Sequence, residues 1–262
     1  AVVFAAGLAA SGYRPVFAVY STFLQRAVDC VMHDVCLQRL PVIFCVDRAG
    51  VVGSDGPTHH GIYDIAMLRC LPHLTLMQPK DARELAAMMK TALTHDGPVA
   101  IRYPREPGPA VDLGPDIAPL PIGVAETVVE PEGAGGSAVW LWALGDMLPL
   151  ACETAGLLRA VGMRCGVVNA RFIKPLDTGR LWAQARQGAR FMTLENGAVA
   201  GGFGAAVREA LAAGGFDAPV YACGWPDEFV GQGSTPQLMQ DHGLTPERLA
   251  QKVANCYAVA TH

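Results

Sequence analysis

Pro41-Val42-Ile43-Phe44-Cys45-Val46-Asp47-Arg48-Ala49-Gly50-Val51-Val52-Gly53-Ser54-Asp55-Gly56-Pro57-Thr58-His59-His60-Gly61 passes from an unbroken apolar run into a loop dense in glycine and charge. The run has the length of one strand and no polar position until Asp47. That is the pattern of a strand covered on both faces, as in a parallel sheet with helices on each side. The loop then lies at the carboxyl end of the strand, the edge where open α/β sheets collect ligands. Arg48 supplies a permanent cation, Asp55 an acid, and His59 and His60 two groups able to exchange protons near neutral pH. Glycines let the backbone approach closely where other residues would resist. Two adjacent histidines do not readily point into one site, so one of the pair is expected to work. The competing reading is a turn-rich surface loop with solvated charges.

Working outward, residues 15–20 read as a strand, 23–37 as a helix and 74–77 as another strand. Asp81 stands near the start of a helix whose apolar stripe is Leu85, Met88, Met89 and Leu93, and residues 99–102 close the series as a strand. Alternation of this kind predicts an α/β fold built on a parallel sheet. Residues 106–136 turn rich in Pro and Gly without a sustained period and read as a linker. Strands at 138–144, 166–168, 189–194 and 219–222 follow, with helices at 147–160, near Leu181 and at 203–213. A last helix begins at Thr245-Pro246, with Thr as cap and Pro in the first turn. The second half therefore reads as a smaller α/β domain.

The 262 residues are 51% hydrophobic and 17% charged, enough for buried cores and against disorder. A formal charge of −4 offers no polycationic surface for nucleic acid or anionic lipid. No apolar run approaches the roughly 20 residues that cross a bilayer. The eight cysteines are scattered and read as reduced, packed thiols of a cytoplasmic protein. Cys30, His33 and Cys36 recur every three residues but lack a fourth ligand motif, so a metal reading is the weaker one. The apolar start at Ala1 carries no basic region and no helix cap, as a truncated or cleaved chain would begin.

Three further stretches bear on chemistry. Tyr20-Ser21-Thr22-Phe23-Leu24-Gln25-Arg26 follows a strand; its aromatics offer flat faces for a heteroaromatic ring, and Arg26 lies one helical turn beyond Phe23. Phe23 in isolation reads more readily as a core residue. Arg102-Tyr103-Pro104-Arg105 also follows a strand and offers guanidinium forks for phosphate oxygens, a solvated turn being an equal alternative. Glu195-Asn196-Gly197 opens a glycine-rich strand-to-helix turn, for which packing or domain contact is favoured over a phosphate cradle.

Taken together and in this order, these motifs resemble the 1-deoxy-D-xylulose-5-phosphate synthase family of transketolase-like, thiamine-diphosphate-dependent enzymes. The segment from Tyr20 to Ala27, the Asp47–His59 segment and Arg102–Arg105 carry the likeness, joined by Arg171-Phe172-Ile173-Lys174-Pro175-Leu176-Asp177 and Gly224-Trp225-Pro226-Asp227-Glu228-Phe229-Val230-Gly231-Gln232-Gly233. The resemblance implies a pyrimidine-binding domain over residues 1–121 and a transketolase C-terminal-like domain over 122–262. It implies a transferase condensing pyruvate with D-glyceraldehyde 3-phosphate, with loss of carbon dioxide. By the same resemblance Phe23 stacks on the cofactor's aminopyrimidine, and Tyr20, Arg26, Asp55 and His59 line the reaction centre. Arg48 and Arg105 hold the acceptor's phosphate, and His60 sits where the family varies.

Glu106 stands where the family pattern has glycine. The family's activating glutamate and its Gly-Asp-Gly magnesium–diphosphate motif are absent from this sequence. The resemblance therefore assigns Mg2+ and the diphosphate to a separate amino-terminal part, expects this chain to be inactive alone, and expects a homodimer. The expected compartment is the cytoplasm, any plastid transit peptide falling on the absent part. A transketolase proper, a pyruvate dehydrogenase E1-beta-like subunit and a non-catalytic fragment that binds a partner chain are the alternatives.

Overall fold

A computed structural model describes residues 1–133 and 137–258 of the chain. Its strands in chain order are β1 Val16–Tyr20, β2 Ile43–Asp47, β3 Thr75–Met77, β4 Val99–Arg102, β5 Glu126–Val129, β6 Val139–Ala143, β7 Cys165–Asn169, β8 Phe172–Lys174, β9 Arg190–Ala198 and β10 Val220–Trp225. They form two five-stranded sheets, ordered β1-β2-β4-β3-β8 and β10-β9-β6-β7-β5. Each sheet is parallel except for one antiparallel edge strand, β8 on β3 and β5 on β7. The expected α/β architecture is thus present twice.

The apolar run at 42–46 is a central strand. Val42, Ile43, Phe44 and Val46 are almost wholly buried, and β2 pairs with β1 on one side and β4 on the other. Register sets where the strands end. Tyr20 stands opposite Asp47, and Val46 opposite Arg102. The three carboxyl ends therefore finish side by side, and the three motifs that leave them share one edge of the sheet.

Local chemistry explains the helix boundaries. Asp81 caps helix Ala82–Thr94, its carboxylate accepting the Glu84 amide at 2.7 Å. Thr245 does the same for the Arg248 amide at the last helix, Pro246–Ala258. Helix Phe203–Ala213 matches its expected span. The expected helix at 23–37 is present as an irregular run, with Ser21–Leu24 α-helical and Val31–Cys36 wound as a π-helix.

Other elements were not foreseen. The apolar start forms helix Val2–Ala10, with Val2, Ala5, Ala6 and Ala9 in the core and Val3 and Phe4 exposed. Short helices Asp64–Leu68 and Thr235–Asp241 lie in stretches to which no element was assigned. The region read as a linker carries β5, and its last three residues, 134–136, lie outside the described residues. Strand β8 leaves the second half of the chain to complete the first sheet, so the two halves interlock. Among the described residues no helix is long and apolar enough to cross a membrane.

Candidate active site

The first residues to converge are Tyr20 and Phe23. Tyr20 ends β1 and Phe23 lies in the first helical turn, so one turn of helix stacks their rings at 5.2 Å with planes 15° apart. Phe23 is 54% exposed, which decides against its reading as a core residue. His59 meets the Phe23 ring edge-on at 6.0 Å. The Arg48 guanidinium carbon lies 3.7 Å over the Tyr20 ring centre. Aromatic faces, an imidazole and a cation thus form one contiguous cluster from two loops far apart in the chain.

The loop backbone is built to present this cluster. Arg48 takes a left-handed conformation, φ 57°, uncommon for a residue with a side chain and a mark of a constrained turn. Its amide and one guanidinium nitrogen both bond the Asp47 carboxylate at 2.7 Å. Gly50 exchanges two backbone hydrogen bonds of 2.8 Å with Gly61, closing the loop at its base. Gly50 itself has φ 87°, and a Cβ there would collide with the Asn196 side chain. Ala49 donates to the Tyr103 carbonyl at 3.0 Å, tying the loop to the end of β4.

Arg105 lies just beyond that tie. Its guanidinium is flanked by two carboxylates, Asp55 at 3.9 Å and Glu106 at 3.8 Å. Both oxyanions would compete with a phosphate for the same donors. Arg48 is likewise engaged, by Asp47 and the Tyr20 ring. Arg26 is not drawn in. It is exposed and has no hydrogen-bond or ion-pair partner among the described residues, so helical spacing from Phe23 does not bring it to the cluster.

Beneath this surface lies Arg102, whose guanidinium was expected in a phosphate-binding turn but is withdrawn from solvent. Arg102 is fully buried at the end of β4 and donates to Asp64 at 3.0 Å, to Gln78 and to the Asn196 carbonyl at 2.9 Å. Asn196 in turn accepts the Val51 amide at 3.0 Å and the Trp225 indole at 2.8 Å, and donates to Asp146 at 2.6 Å. The domain-contact reading of Glu195-Asn196-Gly197 describes this geometry. Burial raises the Asp146 carboxyl above its ordinary value, against hydrogen bonds from Asn196 and Gln78. A second polar bridge joins the halves where Glu84 binds Arg171 at 2.7 Å and Arg171 reaches Glu126 at 3.0 Å. The Arg102–Arg105 motif marked Arg102 in the sequence, but as a phosphate ligand and not as the buried bridge it forms.

A cavity of about 390 Å³ opens between the halves, lined by Lys80, Tyr103, Glu106, Asp146, Asn196 and Trp225 among others. Arg48, Asp55, His59 and Phe23 do not line it; Asp55 and Phe23 are exposed, and Arg48 and His59 are half-buried. The cysteines Cys36, Cys165 and Cys223 are buried, and burial pushes their thiols up to about 11, 12 and 12, as packed and unreactive thiols require. His33 is exposed beside Asp34, and among the described residues no group of three or more His, Cys, Asp or Glu side chains could hold a metal ion.

The chain is similar to two family domains, "Transketolase, pyrimidine binding domain" over residues 1–109 and "Transketolase, C-terminal domain" over residues 129–249. Among curated proteins it is 49% identical to a 1-deoxy-D-xylulose-5-phosphate synthase of Desulforudis audaxviator, over 96% of this chain and 39% of the relative. It is 51% identical to 1-deoxy-D-xylulose-5-phosphate synthase 1 of Geobacter sulfurreducens, over 95% of this chain and 39% of the relative. The chain thus spans about two-fifths of the length of the curated relatives it matches. Among solved structures, one described as a split gene transketolase, inactive beta4 tetramer, is 32% identical with a TM-score of 0.84, covering 97% of this chain and 80% of the other. Transketolase from Campylobacter jejuni, 20% identical with a TM-score of 0.74 over 97% of this chain and 38% of the other, shares the fold.

Proposed function

This chain belongs to the transketolase family, and from that premise we propose that it is the pyrimidine-binding and C-terminal portion of a 1-deoxy-D-xylulose-5-phosphate synthase. The enzyme would be a transferase joining pyruvate to D-glyceraldehyde 3-phosphate with loss of carbon dioxide. Identity near one-half to synthases over nearly the whole chain supports that choice over a transketolase proper. The observation that carries the reading is the cluster of Tyr20, Phe23, Arg48 and His59 at the carboxyl edge of the first sheet.

Thiamine diphosphate fits part of this surface. The exposed Phe23 ring, backed by Tyr20, offers a flat apolar face to an aminopyrimidine. By the family pattern, Mg2+ and the diphosphate would be held by an amino-terminal part of the same enzyme. When bound, the cofactor supplies the electron sink for loss of carbon dioxide and carbon–carbon bond formation. The residues of this chain position and screen. His59 and Asp55 exchange protons and hydrogen bonds with the substrates' oxygens, and Arg48 and Arg105 bind the acceptor's phosphate through charge-assisted bonds. Arg26 approaches only after moving, or after a partner covers this face.

The division at residues 1–121 and 122–262 follows the family's two domains. Val3 and Phe4 of the first helix and Phe23 beyond β1 are exposed, and such apolar side chains fit association with a second chain. The solved relative is described as an inactive tetramer, and by that parallel this chain self-associates and is inactive alone in a cytoplasmic enzyme.

Pyruvate-dependent release of carbon dioxide, with glyceraldehyde 3-phosphate, thiamine diphosphate and magnesium present, tests the proposal. Silence from this chain and activity on adding the amino-terminal polypeptide is the expected result. Silence from a folded, bound mixture would leave a partner-binding role. Activity with a ketose phosphate donor in place of pyruvate would make it a transketolase.

A further inference from the structure

Residues 224–233 of the second domain lie as a strap across the loop that carries Asp55 and His59. Four hydrogen bonds fasten it. The Gln232 amide donates to the Ser54 carbonyl at 2.7 Å, the Gly233 amide to the Gly53 carbonyl at 3.3 Å, and the Tyr63 hydroxyl to the Glu228 carbonyl at 3.2 Å. The fourth runs from His60 Nε2 to the Gly231 carbonyl at 3.0 Å.

His60 differs from the other three. Its imidazole is 3% exposed, and its second nitrogen, Nδ1, accepts the Val52 amide at 3.0 Å. One ring therefore spans the loop from position 52 to position 60 and ties it to the other domain. The two partners dictate the tautomer. An N–H donates to Nδ1, so Nδ1 carries the lone pair; a carbonyl accepts from Nε2, so Nε2 carries the proton. Asp55 and His59 both lie inside the span that this ring closes. Within the span the backbone bonds to itself only through short-range turns, Asp55 to Val52, Gly56 to Gly53, and His59 and His60 to Gly56; its long-range bonds, at the Gly53 and Ser54 carbonyls, go to the same strap.

We propose that His60 is a positioning residue, a latch through which the C-terminal domain's strap fixes the loop presenting Asp55 and His59 to substrate. Its effect on catalysis rests on the function proposed above; its effect on the loop does not. The second domain then acts on the reaction without touching substrate. A side chain serving the latch must accept at one end and donate at the other. Glutamine satisfies both demands, while leucine fills the space and satisfies neither.

Hydrogen–deuterium exchange on the intact chain tests the latch. In His60→Leu, exchange over residues 51–61 and 228–233 rises by about tenfold or more, as loss of one to two buried hydrogen bonds requires, while β6 and β9 keep their protection. In His60→Gln both segments stay near the parent level. Gln232→Ala, an exposed change that removes only the Ser54 bond, loosens the same segments to a smaller degree. Unchanged exchange in His60→Leu would overturn the proposal, as would loosening spread evenly through both domains. If His60→Leu does not fold, the Gln232→Ala and His60→Gln results decide alone. With the amino-terminal polypeptide added, His60→Leu should lower kcat about tenfold or more with little change in the KM for pyruvate, and His60→Gln should restore it. A parent mixture without activity would sink the proposed function and leave the exchange result standing.

Discussion

Arg102 Nε donates to Asp64 Oδ2 at 3.0 Å with both side chains withdrawn from water, 0% and 1% exposed. The pair joins the end of β4 to the helix Asp64–Leu68 that follows the loop of residues 48–61. Through Asn196 the same guanidinium reaches the second domain. A buried pair is weak evidence for net stability, because two ions lose their hydration, but breaking one side leaves an uncompensated charge.

Asp64→Asn in this chain should therefore destabilise it by about 3 kcal/mol or more, and Arg102→Met by a similar amount. Urea unfolding checks both. The double variant Asp64→Asn/Arg102→Met should recover part of that loss, since it strands neither charge. Additive losses would mean that the two side chains do not act as a pair.

Phe23→Ala should leave the chain's stability nearly unchanged, because the ring is half exposed. Binding of thiamine diphosphate to the reconstituted enzyme should weaken by about tenfold, the worth of one aromatic stacking partner. Calorimetric titration separates the two effects. Equal affinity in parent and variant would remove Phe23 from the cofactor site.

In the reconstituted enzyme, Arg48→Ala or Arg105→Ala should raise the KM for glyceraldehyde 3-phosphate by about 10- to 100-fold, the range of a lost charge-assisted bond. The KM for pyruvate should move far less. Steady-state kinetics with each substrate varied in turn provide the check, and equal effects on both would sink the phosphate assignment.

Glu106 lies 3.8 Å from Arg105 and is more than half exposed. Glu106→Gln should lower the KM for the phosphate acceptor by about two- to fivefold, within the range of solvent-screened pairs, and high salt should erase the difference. An unchanged KM at low salt would mean that this carboxylate does not compete with the acceptor.

Glu195 is buried at the start of helix Phe203–Ala213, accepting the Phe203 amide at 2.6 Å and the Gly204 amide at 2.8 Å. Burial nonetheless pushes its carboxyl from 4.5 up to about 7, and the amides and the Arg102 and Arg69 charges only offset this in part. Between those values the folded chain holds a proton that the unfolded chain has released. Stability from this group is therefore full below pH 4.5 and falls as pH rises to about 7, by roughly 3 kcal/mol in all. Glu195→Gln should flatten that decline, read from urea midpoints at about pH 5 and about pH 8. A decline of equal size in the variant would assign it to other groups.

The sequence alone determined the sheet, because a strand buried on both faces must be apolar throughout, and residues 41–46 could be nothing else. Register then placed Tyr20, Asp47 and Arg102 at one edge, and the motifs following each strand were legible as one site for the same reason. Caps at Asp81 and Thr245 were legible because capping is a local bond. The helix Val2–Ala10 and strands β5 and β8 were not, since short segments of weak period are stabilised by what they pack against rather than by their own pattern.

Only the tertiary structure decided which polar residues act from below. Arg102 at a strand end and His60 beside His59 are indistinguishable in sequence from solvated neighbours. Their roles come from partners 94 and 171 positions away in the chain, Asn196 and Gly231. A hydrogen bond has no sequence signature when its donor and acceptor meet only after two sheets have packed together.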